Sequence, residues 1–380
     1  MSLLRSGDGK KGRILTEPVE LSHQDQNLKL KVVNKKLRRK MGDWSRLTEV
    51  LAASCPKLPI PKMPYKAFAP TKIYQELVVD LSDAHLNAAW DYSKTDGKSE
   101  YSFDIGCELL NYLVQEVCRL ASQDRSKYGL HNLRLRFLGD ILHGHLRVSD
   151  EVTNDFPTAS SILSTAWVLF QAVCQLLANF RQIDIICMAG NHARLADKPD
   201  AHRYVEENLE TIVYGMLKAL VAEHKLGDRV TVTIPNSRIY TFNQLGHKIK
   251  VGHGDHIRGG NSIADVPIYG LGREILRQFR NDVLSGAEGG IALMEYGHWH
   301  QSCFLSNILL LNGSLCFTGP WAIEEKGVFT DPTQWVYYTS EKYAIGWSMP
   351  LSVKAGKGKG HPYTYDPEMF VGHKALTKGD

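Results

Sequence analysis

Short apolar runs alternate with longer amphipathic stretches along the middle of the chain. Three runs rich in Val, Ile and Leu predict strands: KIYQELVVDLSD, LRLRFLGD and IDIICMAGN. After each run, apolar residues recur at helical spacing, around residues 105–122, 159–180 and 202–224. This β-α-β-α-β-α order predicts parallel neighbouring strands joined by right-handed crossovers, and therefore an α/β fold.

Beyond Arg229 the apolar segments become shorter and the long helical pattern fades. The runs VTVTI, RIYTFNQLGHKIKVGHG, CFLSNILLLNGS and WVYYTSEKYAIGWSMPL all predict strands. The second half is therefore expected to form a mixed or antiparallel sheet packed beside the first.

Changes in composition divide the chain into four parts. Residues 1–55 are polar and basic, with helices predicted near 22–41 and 43–53, and residues 56–70 form a Pro-rich linker. Residues 71–352 carry the α/β pattern. Residues 353–380 form a Gly- and Lys-rich tail, which is expected on the surface.

Composition indicates a globular protein with a sizeable core, since 43% of the 380 residues are hydrophobic and 23% are charged. No apolar run reaches the length of a membrane span and the first residues lack a hydrophobic leader, so we expect a cytoplasmic protein with no membrane contact. The seven cysteines include no CxxC pair and predict reduced thiols.

Positive charge is concentrated near the N-terminus although the net charge is only +4. The run KLKVVNKKLRRK is either a solvated helix face or a contact for phosphate backbone or another polyanion.

Polar residues able to bind metal follow five of the predicted strands. The ends read DLSDAHL, GDILHGH, GNHARL, VGHGDH and EYGHWH. Ligand sites in α/β sheets lie outside the carboxyl ends of the strands, so these side chains are expected to converge. Carboxylates and neutral imidazoles suit divalent first-row metals, and a carboxylate can bridge two ions.

Each of these residues also has an ordinary structural interpretation. Asp83 and Asp140 could be helix N-caps, and His253 could be a hairpin histidine, with Asp255 or His256 as the ligand instead. His298 and His300 alternate along a strand end, so both can face one site only through an irregular turn, which Gly297 would permit.

Taken together, the five motifs resemble those of the calcineurin-like metallophosphoesterases, and in detail those of the SbcD-type DNA repair nucleases. They are Asp83-Ala84-His85, Gly139-Asp140-Ile141-Leu142-His143, Gly190-Asn191-His192, Gly252-His253 and Gly297-His298-Trp299-His300. The resemblance implies a four-layer αββα sandwich of two mixed sheets, with a dinuclear metal site at the strand C-terminal ends. Residues 71–352 would then be the catalytic domain.

The resemblance also implies a role for each motif residue. Asp83, His85 and His300 would hold a first metal ion. Asn191, His253 and His298 would hold a second, and Asp140 would bridge the two. His192 would contact the substrate phosphate and so would His143, as in the SbcD-type nucleases. The expected ions are two divalent metals, Mn²⁺ first, with Fe, Zn or Mg as alternatives.

Departures from the family pattern narrow the expected substrate. Phosphoprotein phosphatases have GDxVDRG and GNHE, whereas this chain has His143-Gly144 and Ala193 at the corresponding places. Phosphodiester hydrolysis is therefore favoured. Arg147, Arg194 and Arg258 follow three of the motifs and could either bind phosphate or form surface salt bridges.

We therefore predict a metal-dependent phosphodiester hydrolase, foremost a DNA or RNA nuclease that uses a hydroxide bridging two metals. A small-molecule phosphodiesterase or phosphatase, acting on cyclic nucleotides, dinucleotides or nucleotide-sugar diphosphates, is the first alternative. A non-catalytic nucleic-acid-binding or assembly protein with structural metals is the second. No nucleotide-binding P-loop motif is present in the sequence, so an ATPase partner would be a separate chain.

Overall fold

The computed structural model describes six ranges of the chain, residues 44–60, 74–144, 154–196, 203–258, 266–284 and 289–365. The chain divides into two units, Met1–Trp44 and Ser45–Asp380, and every described residue except Trp44 belongs to the second. Three predictions lie outside the described residues: the helix near 22–41, most of the linker 56–70 and the phosphate contact of Arg147.

Six strands form the first sheet. They are β1 (Glu76–Leu81), β2 (Asn132–Phe137), β3 (Gln182–Cys187), β4 (Val230–Thr233), β10 (Thr333–Thr339) and β11 (Ser348–Ser352), in the order β11-β10-β1-β2-β3-β4. β1, β2 and β3 are parallel to one another, as the β-α order predicts. β4 is also parallel to β3, whereas β10 is antiparallel to β1.

The remaining five strands form a second, mixed sheet. They are β5 (Ile239–Gln244), β6 (His247–Gly252), β7 (Leu293–Tyr296), β8 (Cys303–Leu305) and β9 (Leu309–Leu311), in the order β5-β6-β7-β9-β8. The sequence grouped β4, β10 and β11 with this sheet, and that grouping was wrong. Since β10 is buried along nearly its whole length, it takes an interior place beside β1.

The structure contains six helices within its described ranges. They are α1 (residues 44–54), α2 (Phe103–Tyr128), α3 (Thr158–Leu176), α4 (Leu209–Glu223), α5 (Ile268–Leu284) and α6 (Pro320–Lys326). The pattern placed the start of α4 near residue 202, but Asn208 caps the helix by accepting a hydrogen bond from the Glu210 amide. α5 and α6 were not predicted from the sequence.

Three cores separate four layers, and consecutive residues of one strand enter different cores. Val79 faces the helices α2, α3 and α4, while its neighbour Val78 faces the second sheet. In the second sheet, Leu310 packs between the sheets, and Leu309 packs with Leu271 of α5. The layers are thus helices, sheet, sheet and helix, and the predicted αββα sandwich of two mixed sheets is confirmed.

α3 is buried as a core helix. Its length and composition alone would allow it to cross a membrane, but 83% of that stretch is buried within the protein. A mostly buried core helix of a soluble protein passes the same test, so this feature is weak evidence for a span.

The described part of the predicted tail packs on α2. The amide groups of Gly358 and Gly360 donate hydrogen bonds to the Glu108 carboxylate, at 2.6 and 3.0 Å. Val353 and Tyr363 are buried in the same core as the parallel strands. Residues 353–365 are therefore packed as part of the folded domain.

Candidate metal centre

The candidate ligands follow the ends of strands from both sheets and lie at one edge of the sandwich. Asp83 and His85 follow β1, Asp140 follows β2, and Asn191 follows β3, all in the first sheet. His253 follows β6. His298 and His300 come after β7, which is parallel to β6. Parallel strands place these ends together, as the sequence analysis expected.

The donors predicted for a first metal ion contact one another. His300 Nε2 lies 3.2 Å from His85 Nε2 and 3.4 Å from Asp83 Oδ1. One ligand atom from each of Asp83, His85 and Asp140 also lies within 4.8 Å of the other two. These four residues form the first donor set.

The donors predicted for a second ion surround His253. Its Nε2 atom lies 3.0 Å from Asn191 Oδ1, 3.0 Å from Asp140 Oδ2 and 3.3 Å from His298 Nδ1. The other ring nitrogen of His253 lies 2.8 Å from the Leu138 carbonyl oxygen, so Nδ1 carries a proton and Nε2 faces the donors. This is the second donor set, and it shares Asp140 with the first.

Two of the alternative interpretations are disfavoured by the geometry. Asp255 is paired with Arg238 at 2.6 Å, whereas His253 lies among the donors. Asp140 caps no helix: its Oδ1 atom accepts the His192 amide at 2.8 Å and its Oδ2 faces His253.

Five of the seven candidate ligands have left-handed backbone conformations. The φ angles are Asp83 51°, His85 45°, Asp140 52°, His298 80° and His300 57°. Asp and His adopt this region more readily than most residues, yet each instance still costs about 1–3 kcal/mol. Such a concentration of strain at one edge is typical of a functional site.

Close backbone approaches explain two of the motif glycines. A side chain at Gly190 would place its Cβ 2.1 Å from Asp140 Oδ1, and one at Gly297 would lie 2.6 Å from Asp83 Oδ2. The predicted irregular turn is present, but its left-handed residues are His298 and His300 themselves rather than Gly297. Glycine is needed at position 297 because a side chain there would collide with Asp83.

A buried carboxylate that the sequence analysis missed links two of the loops. Glu210 accepts hydrogen bonds from the amides of Ile141 and Leu142 after Asp140, and at 2.6 Å from the amide of Gly190. Asn208 donates to the Gly190 carbonyl oxygen at 2.8 Å. The available signal was Asn208 followed by Glu210, a pairing typical of the start of a helix. It was missed because the helix was predicted to begin near residue 202.

His143 and His192 lie beside the first donor set. One ring nitrogen from each of His85, His143 and His192 lies within 4.8 Å of the other two, and the rings of His143 and His192 are 5.1 Å apart. His192 Nδ1 is buried and has no hydrogen-bond partner among the described residues. An unsatisfied buried nitrogen indicates a place for a ligand atom.

The electrostatics of the centre favour a cation. Burial lowers the pKa of His85, that of His298 to about 4 and that of His192 to about 3, so these imidazoles are neutral at pH 7. Burial would also lower the pKa of His253, but the Asp140 carboxylate raises it to about 10. A metal ion therefore has to displace a proton from His253.

Two of the predicted substrate arginines, Arg194 and Arg258, lie in the described ranges. Arg194 is half-buried, and its Nε donates to the Ala196 carbonyl oxygen at 2.9 Å. Arg258 is exposed, and its carbonyl oxygen accepts from Arg273 at 2.8 Å. Phosphate binding by either arginine stays a prediction.

The donor set fits two divalent ions. Carboxylate oxygens, an amide oxygen and neutral imidazole nitrogens are ligands for Mn, Fe and Zn, and Asp140 is shared between the sets. The chain thus resembles the calcineurin-like metallophosphoesterases in its αββα architecture, in the order of its motifs and in how its strand ends meet. The ligand roles themselves stay predictions.

Comparison with known proteins gives similar solved structures at low identity. No family model and no curated protein matches the chain. A predicted phosphoesterase from Streptococcus pneumoniae is 12% identical over 74% of this chain and 99% of its own, with a TM-score of 0.27. A dimetal phosphatase from Danio rerio is 11% identical over 74% and 99%, with a TM-score of 0.32. Vps29 with zinc from Entamoeba histolytica is 10% identical over 73% and 99%, with a TM-score of 0.24. TM-scores this low carry no argument about function.

Proposed function

We propose that this chain is a metal-dependent phosphodiester hydrolase whose substrate is DNA or RNA. The observation that carries the proposal is the pair of donor sets joined through Asp140, with the imidazoles of His143 and His192 beside them. Metal-assisted hydrolysis of a phosphate ester uses this combination of two ions and uncharged hydrogen-bond donors.

The chain's own residues would hold the two ions. Asp83, His85 and His300 would bind the first, and Asn191, His253 and His298 would bind the second, with Asp140 shared by both. Two bound divalent ions supply Lewis acidity, a nucleophile at neutral pH and compensation for charge on the leaving oxygen.

His192 and His143 would bind the phosphate. Because burial lowers the pKa of His192 to about 3, its ring is neutral and carries one N–H group. His192 therefore stabilises negative charge by donating a hydrogen bond, rather than by giving up a proton. His143 can donate in the same way from the neighbouring position, 5.1 Å away between ring centres.

The preference for nucleic acid rests on the sequence. The basic run at residues 29–40 would bind a polyanion through release of counterions, and His143 and Ala193 depart from the protein phosphatase pattern. A separate ATPase subunit is a further prediction of the same resemblance.

The test is hydrolysis by chelator-stripped protein of labelled single- and double-stranded DNA, RNA and a generic small phosphodiester. Each substrate is assayed with Mn²⁺ or Zn²⁺ restored or withheld. We expect metal-dependent cleavage of nucleic acid that falls about 10²–10³-fold in His192→Ala, which is a typical effect of removing one donor to a developing negative charge.

Three other outcomes would change the proposal. Cleavage of the small diester alone would assign the chain to small-molecule phosphodiesterases. Equal binding of DNA with and without metal, with no hydrolysis of any substrate, would support a non-catalytic role. Full activity in Asp140→Asn would show that the bridging assignment is wrong.

A further inference from the structure

A cysteine outside the five motifs lies against the first donor set. Cys316 is in the loop after β9, and its side chain is buried. The loop is attached to the first motif, because the amides of Leu315 and Cys316 both donate to the Asp83 carbonyl oxygen at 3.2 Å. The Ser314 hydroxyl donates to the Cys316 carbonyl oxygen at 2.6 Å and lies 3.1 Å from the Cys316 sulfur. The position of Cys316 relative to Asp83 is therefore set by the backbone.

The sulfur lies where a metal ligand could act. One ligand atom from each of Cys316, His85 and His300 lies within 4.8 Å of the other two, the same spacing that Asp83, His85 and Asp140 satisfy. Of the seven cysteines, all of them in described ranges, Cys316 alone takes part in such a group. His85 and His300 are also the two imidazoles in contact at 3.2 Å in the first donor set.

We propose that Cys316 is an additional ligand of the first metal ion, together with Asp83, His85, His300 and Asp140. The proposal rests on the dinuclear centre of the proposed function. On binding, the S–H bond of Cys316 breaks, a sulfur–metal bond forms, and the proton passes to solvent. No oxidation or group transfer takes place.

A thiolate changes which ion the first site prefers. Thiolate is a soft ligand that favours zinc and iron, whereas carboxylate and carbonyl oxygens suit manganese and magnesium. The second donor set has no sulfur within the described ranges. The two positions should therefore differ in selectivity, with the first taking Zn²⁺ or Fe²⁺ in preference to the Mn²⁺ that the sequence resemblance suggests.

Cobalt substitution tests this ligand by a signal other than activity. Chelator-stripped full-length protein is titrated with Co²⁺, the bound cobalt is counted by equilibrium dialysis, and the absorption spectrum is recorded. We expect two Co²⁺ per chain and a sulfur-to-cobalt charge-transfer band in the near ultraviolet. The band should be lost in Cys316→Ser and kept in Cys303→Ser, a matched control on β8 that takes part in no donor group.

The outcomes separate this inference from the proposed function. Two bound Co²⁺ without the band, or a band that persists in Cys316→Ser, would overturn the cysteine ligand and leave the dinuclear centre intact. No cobalt binding at all would overturn both. Circular dichroism of each variant confirms that it is folded.

A second measurement needs no variant. X-ray absorption spectroscopy of the zinc-loaded wild-type protein should require one sulfur per two zinc ions, at a Zn–S distance of about 2.3 Å. A spectrum fitted by nitrogen and oxygen neighbours alone would overturn the proposal.

Discussion

Two buried polar clusters in this molecule satisfy their charges in opposite ways. Between the two sheets, the Arg136 guanidinium donates to Glu295, to Gln244 and, at 2.7 Å, to the Tyr337 hydroxyl. The Tyr337 hydroxyl in turn donates to Glu295. This cluster, which we call the inter-sheet cluster, holds a cation and an anion that are both almost fully buried and directly paired.

The candidate metal centre is balanced less completely: Asp140 pairs with His253, whose pKa it raises to about 10, but three further imidazoles are uncharged. Its imidazoles crowd one another, and burial lowers the pKa of His85, His192 and His298. Its loops also hold five strained residues. The inter-sheet cluster thus serves to join the sheets, whereas the metal centre is arranged for ions that the chain does not itself supply.

Metal binding should produce the largest change in the free energy of unfolding. This change should depend on the metal centre and not on the inter-sheet cluster. Each ion present at about 1,000 times its Kd adds about 4 kcal/mol to the unfolding free energy. Thermal unfolding of stripped protein with and without Zn²⁺ measures this gain. Asp140→Asn should lose most of it, because Asp140 lies in both donor sets. If neither Zn²⁺ nor Mn²⁺ changed the unfolding temperature, the candidate centre would not bind these ions. The two clusters would then not differ in the way described above.

Breaking the inter-sheet cluster should have the second-largest effect on the free energy of unfolding. Glu295→Gln leaves the buried Arg136 without its counter-charge, which should cost about 3–5 kcal/mol in urea unfolding. The gain on adding metal should be unchanged. Glu324→Gln, on the exposed surface of α6, is the matched control. If Glu295→Gln weakened metal binding as well, the two clusters would be coupled rather than independent.

A smaller effect is expected where a structural carboxylate supports the metal centre. In Glu210→Gln, the new amide group faces either the Gly190 amide or those of Ile141 and Leu142, at a cost of about 1–3 kcal/mol. Metal affinity, measured by calorimetry, should fall about 10–100-fold because the loops that carry Asp140 and Asn191 shift. Glu223→Gln, at the exposed end of α4, should change neither quantity.

The last expected effect, which appears only over a limited pH range, is a pH dependence at Asp80, a buried carboxyl beside Arg136. Burial raises the pKa of Asp80 to about 7, although Arg136 acts in the opposite direction. The folded chain thus holds this proton more tightly than the unfolded chain does. Its contribution to stability is complete below the ordinary carboxyl pKa of about 4 and is lost as the pH rises to about 7.

Asp80→Asn removes this titration. Between about pH 5 and pH 7.5, stripped wild-type protein should lose more stability than the variant does in urea unfolding. Parallel curves for the two proteins would show that Asp80 is ionised in the folded state, and that the inter-sheet cluster carries an extra negative charge.

The candidate ligands could be found from the sequence because each directly follows an apolar run. Asp83, Asp140 and Asn191 come after strands that the β-α order makes parallel, so their convergence follows from topology. The backbone conformation of the loops could not be predicted from the sequence in this way. The left-handed backbone of His298 and His300 depends on contacts with the Asp83 loop, since the His298 amide donates to Asp83 Oδ2 at 3.0 Å.

Other features were missed for different reasons. The signal for α5 is local, because apolar residues recur at helical spacing at Ile268, Leu271 and Ile275, but it was overlooked among the predicted short strands. Arg136 and Glu295 are 159 positions apart, and nothing in either segment marks them as partners.

The sequence by itself determined the fold class and the chemistry at the strand ends, because hydrophobic periodicity and residue type act over short stretches. Only the tertiary structure decided that β10 enters the first sheet and that Glu210 joins two loops. It also decided that Cys316 lies beside His85 and His300. The physical reason is that hydrogen bonding and metal coordination depend on distances of a few ångströms between segments far apart in the chain, and packing sets those distances.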